Sequence, residues 1–410
     1  MKRKQNLKSA FLLMAAPALG LFWAGGTCSA GTAPSGLQLA EVQAAASATK
    51  WSAENSDETD ETQEAAKPLL ELAKQKKLAS DLLGLTKTAK TAQQLNAMIA
   101  KCDTAVKAGL NKKYFAYVRS LKAWALKRRG NNRYETAKQL KAIDNRVQYD
   151  LAFKQAMQDF DDSIAIDTER YRTFNSRGIA FVLNEQYVEA IKDFTKAVAL
   201  KPDFTQGYFN RAEALSALNK HELAIKDYTA VLRLVPGDAQ ALTGRGHANV
   251  ARGDLEAALP DYDAVIKAYP DNAVAVVNRG DYHSAAGNWK GALADYAAAK
   301  KLGESDLVDQ RVAWVLATAS DATIRDGEKA IALIKPCVDR SSLPTPAMLE
   351  TLAAAQALTG DFEAAKQNQS KVIRLTNAEV SADQASTEDS PQQVRMALYE
   401  EEKAYVQPDK

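Results

Sequence analysis

One interval governs this sequence. Arg177, Arg211, Arg245 and Arg279 stand 34 residues apart, and each precedes a small residue: Gly178, Ala212, Gly246, Gly280. Asp193, Asp227, Asp261 and Asp295 keep the same spacing, and each precedes an aromatic: Phe194, Tyr228, Tyr262, Tyr296. Ala190, Ala224, Ala258 and Ala292 are in phase, and Pro202, Pro236 and Pro270 close three of the intervals. A fixed period of this length demands a stack of similar units, because one unit cannot bury its apolar face alone.

Each interval holds two helical patterns joined by a short turn. The first runs from Tyr171 to Asn184 and the second from Val188 to Leu200, with Glu185-Gln186 between them. Gly253-Asp254 and Gly287-Asn288 mark the same turn later. A 14-residue helix is about 21 Å long. The small residue allows two antiparallel helices to cross with axes about 8–10 Å apart. The aromatic fills the flank, and Pro stops the second helix. No stretch alternates strongly enough to be a strand. The expectation is an all-α solenoid.

These positions resemble the tetratricopeptide repeat (TPR). Its bulky, small, aromatic, Ala and Pro positions correspond to Phe174, Gly178, Phe181, Tyr187, Ala190, Phe194, Ala197 and Pro202. Later units depart from it: Leu242 replaces an aromatic, and Glu304 stands where Pro is expected. The resemblance covers Tyr171 to Thr376 and implies a right-handed superhelix of stacked antiparallel TPR-like pairs. The wider order resembles exported bacterial TPR proteins. It shares with them Ala123-Trp124-Ala125-Leu126, Arg128-Arg129-Gly130, Leu316-Ala317-Thr318, Arg325-Asp326-Gly327 and Leu398-Tyr399, while Ser320 departs from a frequent Cys.

Phase extends the array to 117–376. An irregular first unit, 117–170, carries an insertion of about 14 residues around Asn131 to Asn145. Regular units follow at 171–204, 205–238, 239–272 and 273–306, then an irregular unit at 307–345 and a last one at 346–376. Pro260 falls near the first turn of its helix, and Pro336 sits deeper, where it is expected to kink or end the helix. Residues 377–410 read as a polar tail with one short helix, Val394 to Tyr405.

The other end is different in kind. Lys2, Arg3, Lys4 and Lys8, an apolar run from Ala10 to Trp23, and Cys28-Ser29-Ala30 read as a signal peptide over 1–30, cleaved after Ala30. Pro17 and Gly20 interrupt the run, and a span needs about 20 apolar residues, so a retained anchor is the weaker reading. No transmembrane span is expected in the mature chain. Residues 31–68 read as an acidic, Ala-rich flexible linker. Residues 69–116 read as basic helices. Cys102 and Cys337 are read as buried thiols, with a disulfide as the alternative.

The formal charge of +2 sums unlike parts: +4 over 1–30, −5 over 31–68, +13 over 69–141 and −10 over 142–410. The total does not imply a nucleic-acid partner. The basic stretch invites an anionic polymer or lipid contact by 69–141, against a plain reading as solvated helix faces.

The candidate sites follow from phase. Arg129, Arg177, Arg211, Arg245 and Arg279, with Asp159, Asp193, Asp227, Asp261 and Asp295, are read as a structural charge ladder. The resemblance places partner binding on the concave face of the first helices. Candidates there are Arg172, Asn175, Ile179 and Val182; Gln206, Phe209, Asn210, Glu213 and Ser216; Gln240, Thr243, His247 and Val250; and Val277, Asn278, Asp281 and Ser284. They mix apolar and amide groups. His221, His247 and His283 do not share a phase, so no metal or other cofactor is expected. No nucleophile and base can be placed together, so no catalytic residues are expected. The reading is an exported, non-catalytic scaffold that binds peptide or helical partners. The alternative is an envelope module that binds an anionic polymer or membrane through its basic helices.

Overall fold

The computed structural model describes residues 69–303, 306–378 and 390–408. The expected signal, cleavage site and linker lie outside the described residues, as do Glu304 and residues 379–389 of the tail. Among the described residues all regular structure is helical, in seventeen helices. They divide between two compact units, 69–132 and 133–408.

The first unit holds α1 (Leu72–Thr88), α2 (Ala92–Lys107) and the start of α3 (Lys112–Ala142). Leu82, Leu95, Met98, Ile99, Cys102 and Val118 are buried. Thr91 and Gln94 close a reciprocal capping box at the start of α2. The buried Gln75 amide bonds Leu70 O and Asn111 N at 2.6 and 3.1 Å, tying both flanks to α1. Cys102 is a free thiol, and burial pushes it up to about 12. Cys337 is likewise free and buried.

The second unit continues from α3 into α4 (Arg146–Ile166). Four pairs of 13- or 14-residue helices follow: α5 (Tyr171–Leu183) with α6 (Tyr187–Leu200), α7 (Thr205–Ala217) with α8 (His221–Leu234), α9 (Ala239–Arg252) with α10 (Leu255–Ala268), and α11 (Ala273–Ala285) with α12 (Trp289–Lys301). Then come α13 (Asp306–Thr318), α14 (Gly327–Arg340), α15 (Pro346–Leu358), α16 (Phe362–Ala378) and α17 (Pro391–Glu400). Consecutive helices pack on one another, and successive first helices also touch directly from α5 through α15. Contacts between successive second helices are sparser, so the first helices form the inner layer.

The small position works as expected where it is glycine. A Cβ on Gly178 would lie 2.6 Å from the Phe194 ring, and one on Gly280 2.6 Å from the Tyr296 ring. Ala212 fills this position in α7. There Tyr228 lies against the next first helix, where a Cβ on Gly244 would come within 2.5 Å of its Cζ. The turn is periodic as well. Glu185, Asn219, Gly253 and Gly287 adopt left-handed φ of 61°, 58°, 86° and 72°.

The arginines join three helices. Arg177 Nε and Nη2 donate to the two oxygens of Asp193 at 2.8 and 2.7 Å, and Nη1 donates to Asp161 at 2.7 Å. Asp193 lies 16 residues after Arg177, on its own second helix; Asp161 lies 16 before, on the preceding one. Arg211 repeats this with Asp227 and Thr195, Arg245 with Asp261 and Thr229, and Arg279 with Asp295 and Asp263. Burial raises Asp193 from its ordinary carboxylate value, and the bonds from Arg177 oppose it. Such a pair holds its place only while both bonds are made. Arg133 donates to Asp159 at 2.7 Å, a partner that the 34-residue phase does not nominate. Arg129, in the first unit, donates to Asn96 at 2.6 Å.

Five local expectations change. No loop separates Asn131 from Asn145: α3 continues to Ala142 and α4 starts at Arg146, so the extra residues lengthen both helices to 31 and 21 residues. Pro336 does not end α14, which runs on to Arg340, and Pro260 falls in the second turn of α10. Both prolines, with Glu256 and Ala332 whose carbonyls they leave unpaired in the helix, face solvent, where water can serve those carbonyls. The tail helix is Pro391–Glu400, and Tyr405 lies beyond it. That tail is not solvated throughout, since Arg395, Tyr399 and Gln407 are buried.

Candidate functional site

The inner layer aligns residues at fixed offsets from the helix starts. Four residues in stand Asn175, Phe209, Thr243 and Val277; eight residues in stand Ile179, Glu213, His247 and Asp281. The structure leaves Gln206 and Gln240 exposed. It leaves Arg172, Ile179, Val182, Phe209, Asn210, Glu213, Ser216, Thr243, His247, Val250, Asp281 and Ser284 half-buried. Asn175 and Asn278 are buried, and so is Val277 at 2% exposure. Val277 is therefore core, packed with Trp289 and Tyr296, and not a contact residue.

Amides connect the first two inner helices. Gln206 Nε2 donates to Asn210 Oδ1 at 2.8 Å, and Asn210 Nδ2 donates to Asn175 Oδ1 at 2.9 Å. Beside them Phe209 sets its ring edge-on to Tyr228, 5.9 Å between centroids, and leaves part of its surface open. Arg172 is turned aside, with Nε donating to Tyr171 Oη at 2.9 Å.

The row eight residues in rests on the buried aromatics, each 15 residues later in sequence. Tyr228 Oη donates to Glu213, and Tyr296 Oη donates to Asp281 at 2.7 Å. The His247 and Tyr262 rings are 5.7 Å apart, and Ile179 packs in the Phe194 cluster. Burial pushes the phenols of Tyr228, Tyr262 and Tyr296 well above their ordinary value, and Tyr228 and Tyr296 act as neutral donors. Burial also raises Glu213 and lowers His247, the latter against the pull of Asp281 and a bond with Asn278. Asp281 is further held by Arg311 Nε at 3.1 Å, a buried residue on α13 that sequence reasoning missed. Its helix breaks the 34-residue phase, so no repeat signal could have found it.

These acids are engaged with their own scaffold. What remains available to a partner is a band of amide, hydroxyl and apolar surface suited to contact along its length. Among the described residues no three His, Cys, Asp or Glu side chains are grouped to hold a metal ion. No described helix is long and apolar enough to cross a membrane.

Residues 175–239 and 243–306 match the family model of the tetratricopeptide repeat. Those two stretches are tetratricopeptide repeats. The chain's fold is similar to the crystal structure of a tetratricopeptide repeat protein from Parabacteroides merdae, with a TM-score of 0.52 and 15% identity over 66% of this chain and 99% of that one. It is less similar to Cut9–Hcn1 of the APC/C, with a TM-score of 0.45 and 14% identity over 78% of this chain and 55% of that one. YrrB, described as a TPR protein with an unusual peptide-binding site, matches with a TM-score of 0.35 and 21% identity over 43% of this chain and 87% of that one. No curated protein matches the chain. The match begins at Asn175 and ends at Asp306, the first residue of α13, so the longer α3–α4 pair and everything beyond Asp306 lie outside it.

Proposed function

We propose that this protein is exported and binds an extended or helical segment of a partner protein along the inner face of α5, α7, α9 and α11, without chemistry of its own. One observation carries the reading. The chain of amides Gln206–Asn210–Asn175, flanked by the open edge of Phe209, crosses two successive inner helices and leaves polar and apolar surface side by side. Amides offer both donor and acceptor to a main chain, and an apolar edge offers a place for a side chain. The basic start and small-residue site over residues 1–30 support the export.

The test is selection of peptides from a random library on the full chain, followed by titration of the winners. Phe209→Ala with Asn210→Ala should abolish their binding, while Lys196→Ala on the outer layer should leave it intact. Peptides that bind all three chains equally would end the proposal.

A second reading rests on charge. Residues 69–132 carry 14 Lys and Arg against three Asp and Glu. A polyanion bound there should lose affinity steeply between low and moderate salt. Binding of a neutral peptide on the inner helices should barely respond.

A further inference from the structure

The last described residues, 403–408, return across the inner layer of the two final pairs. The anchor for this path is α17. Arg395 is 3% exposed and donates through Nε and Nη2 to Oε1 of Glu350 at 3.0 and 2.5 Å. Glu350 lies four residues into α15, the offset of Asn175, Phe209 and Thr243 in the regular pairs. Trp314 lies eight residues into α13, the offset of Glu213, His247 and Asp281. The Arg395 guanidinium stands 5.6 Å from the centroid of Trp314 and 5.0 Å from that of Tyr405, whose ring is 6.1 Å from Trp314. Arg395 and Trp314 are thus two walls of a slot, and Tyr405 fills it. Two residues on, Gln407 N donates to Thr318 O, at the end of α13, at 2.7 Å.

The walls do not depend on the occupant. Trp314 belongs to α13, and Arg395 is fixed by Glu350, while α17 is held by Tyr399, which is fully buried. The occupant is joined to α17 through Glu402, which turns at φ 54°, a conformation disfavoured for a residue with a Cβ. Lys403, Val406 and Pro408 are exposed, and the buried Gln407 leaves its Oε1 without a donor. At its start Lys403 N donates to Leu398 O at 2.8 Å and Ala404 rests on the Tyr399 cluster; beyond that turn the segment is held by the Tyr405 ring and the Gln407 bond, with an unsatisfied buried oxygen, and is replaceable by another of the same form.

We propose that the Trp314–Arg395 slot is a binding site for an extended segment that presents an aromatic side chain and, two residues beyond it, a main-chain N–H, and that residues 403–408 occupy it in cis as a displaceable strap. The proposal shares the inner-layer reading of the proposed function but sits on α13 and α15, so either can fail alone.

The experiment uses a fluorescein-labelled peptide of residues 401–410 and fluorescence anisotropy. It is titrated with the full chain, with a chain ending at Lys403, and with full-length Tyr405→Ala. An occupied slot weakens apparent affinity in proportion to the vacant fraction. The shortened chain and Tyr405→Ala should therefore bind the peptide at least about tenfold more tightly than the unmodified chain. A peptide carrying Tyr405→Ala should bind none of them, and Phe209→Ala with Asn210→Ala should change nothing. Equal affinity for all three chains overturns the proposal. So does absence of binding to either altered chain with its helical circular dichroism intact. Loss of the fold in both altered chains overturns it too, since the strap would then be an integral part of the fold.

Discussion

Arg211→Ala probes the joint between repeats. Asp227 is 9% exposed and accepts two bonds of 2.7 Å from Arg211, whose side chain is 19% exposed. Removing the arginine leaves a carboxylate desolvated without a counter-charge, a change that costs about 3–5 kcal/mol. The outer edge of the guanidinium reaches water, and solvent entering there moves the cost to the lower end, about 3 kcal/mol, or roughly a hundredfold in an opening equilibrium. The bond to Thr195 on the preceding second helix is lost as well. Whole-chain melting averages over a stack whose units interact mainly with their neighbours. Native-state hydrogen exchange resolves it. Amides of α7 and α8 should lose about a hundredfold in protection, α6 somewhat less, and α15 and α16 nothing. Adding Asp227→Asn should restore at least about 1 kcal/mol, because the neutral amide tolerates the site. A loss below tenfold, or one that deepens additively with Asp227→Asn, would refute the reasoning.

Three further outcomes follow from the same geometry. Thr195→Asp gives Arg211 the second carboxylate that Arg177 and Arg279 already have, and urea unfolding should show a gain of up to about 1 kcal/mol that shrinks at high salt. Gly178→Ala brings a methyl to 2.6 Å from the Phe194 ring and should cost about 1–3 kcal/mol in the same assay, less if Ile179→Val is added to give the ring room. His247 is held below the ordinary imidazole value of 6.5 by burial, so the unfolded chain takes the proton first and stability falls as pH drops through 6.5. His247→Gln should remove that component, seen as a smaller difference between urea midpoints at pH 7.5 and pH 5. The difference between the two chains isolates it from His221, which has the same sign, and from Glu213, whose raised value acts oppositely.

The repeat was legible because its signals are side-chain types at fixed positions. Arg before a small residue and Asp before an aromatic survive in each regular unit, and the structure pairs them. The second partner of each arginine was hidden because two of its four positions carry Thr195 and Thr229 in place of an acid. Arg133 was hidden because α3 and α4 are longer than the later helices, which moves it out of phase. The insertion around Asn131 to Asn145 was expected between the helices, yet neither Asn131 nor Asn132 is incompatible with a helix whose flanks are strong. On the inner layer, spacing gave the face but not the depth. Val277 shares its offset with the open Phe209, yet it is packed into the cluster of Trp289 and Tyr296. The tail misled for another reason: a polar composition hides Gln392, Arg395, Tyr399 and Gln407, which each find a buried place.

The central claim is that partners bind the inner layer of the four regular TPR pairs. Site-specific incorporation of a photoreactive amino acid tests it directly, with one chain carrying it at Gln206 on the inner layer and another at Lys196 on the outer. After irradiation in living cells the account predicts a discrete covalent adduct from the Gln206 chain, lost when Phe209→Ala and Asn210→Ala are added, and none from the Lys196 chain. An adduct that forms from Lys196 and is absent from Gln206 would contradict it.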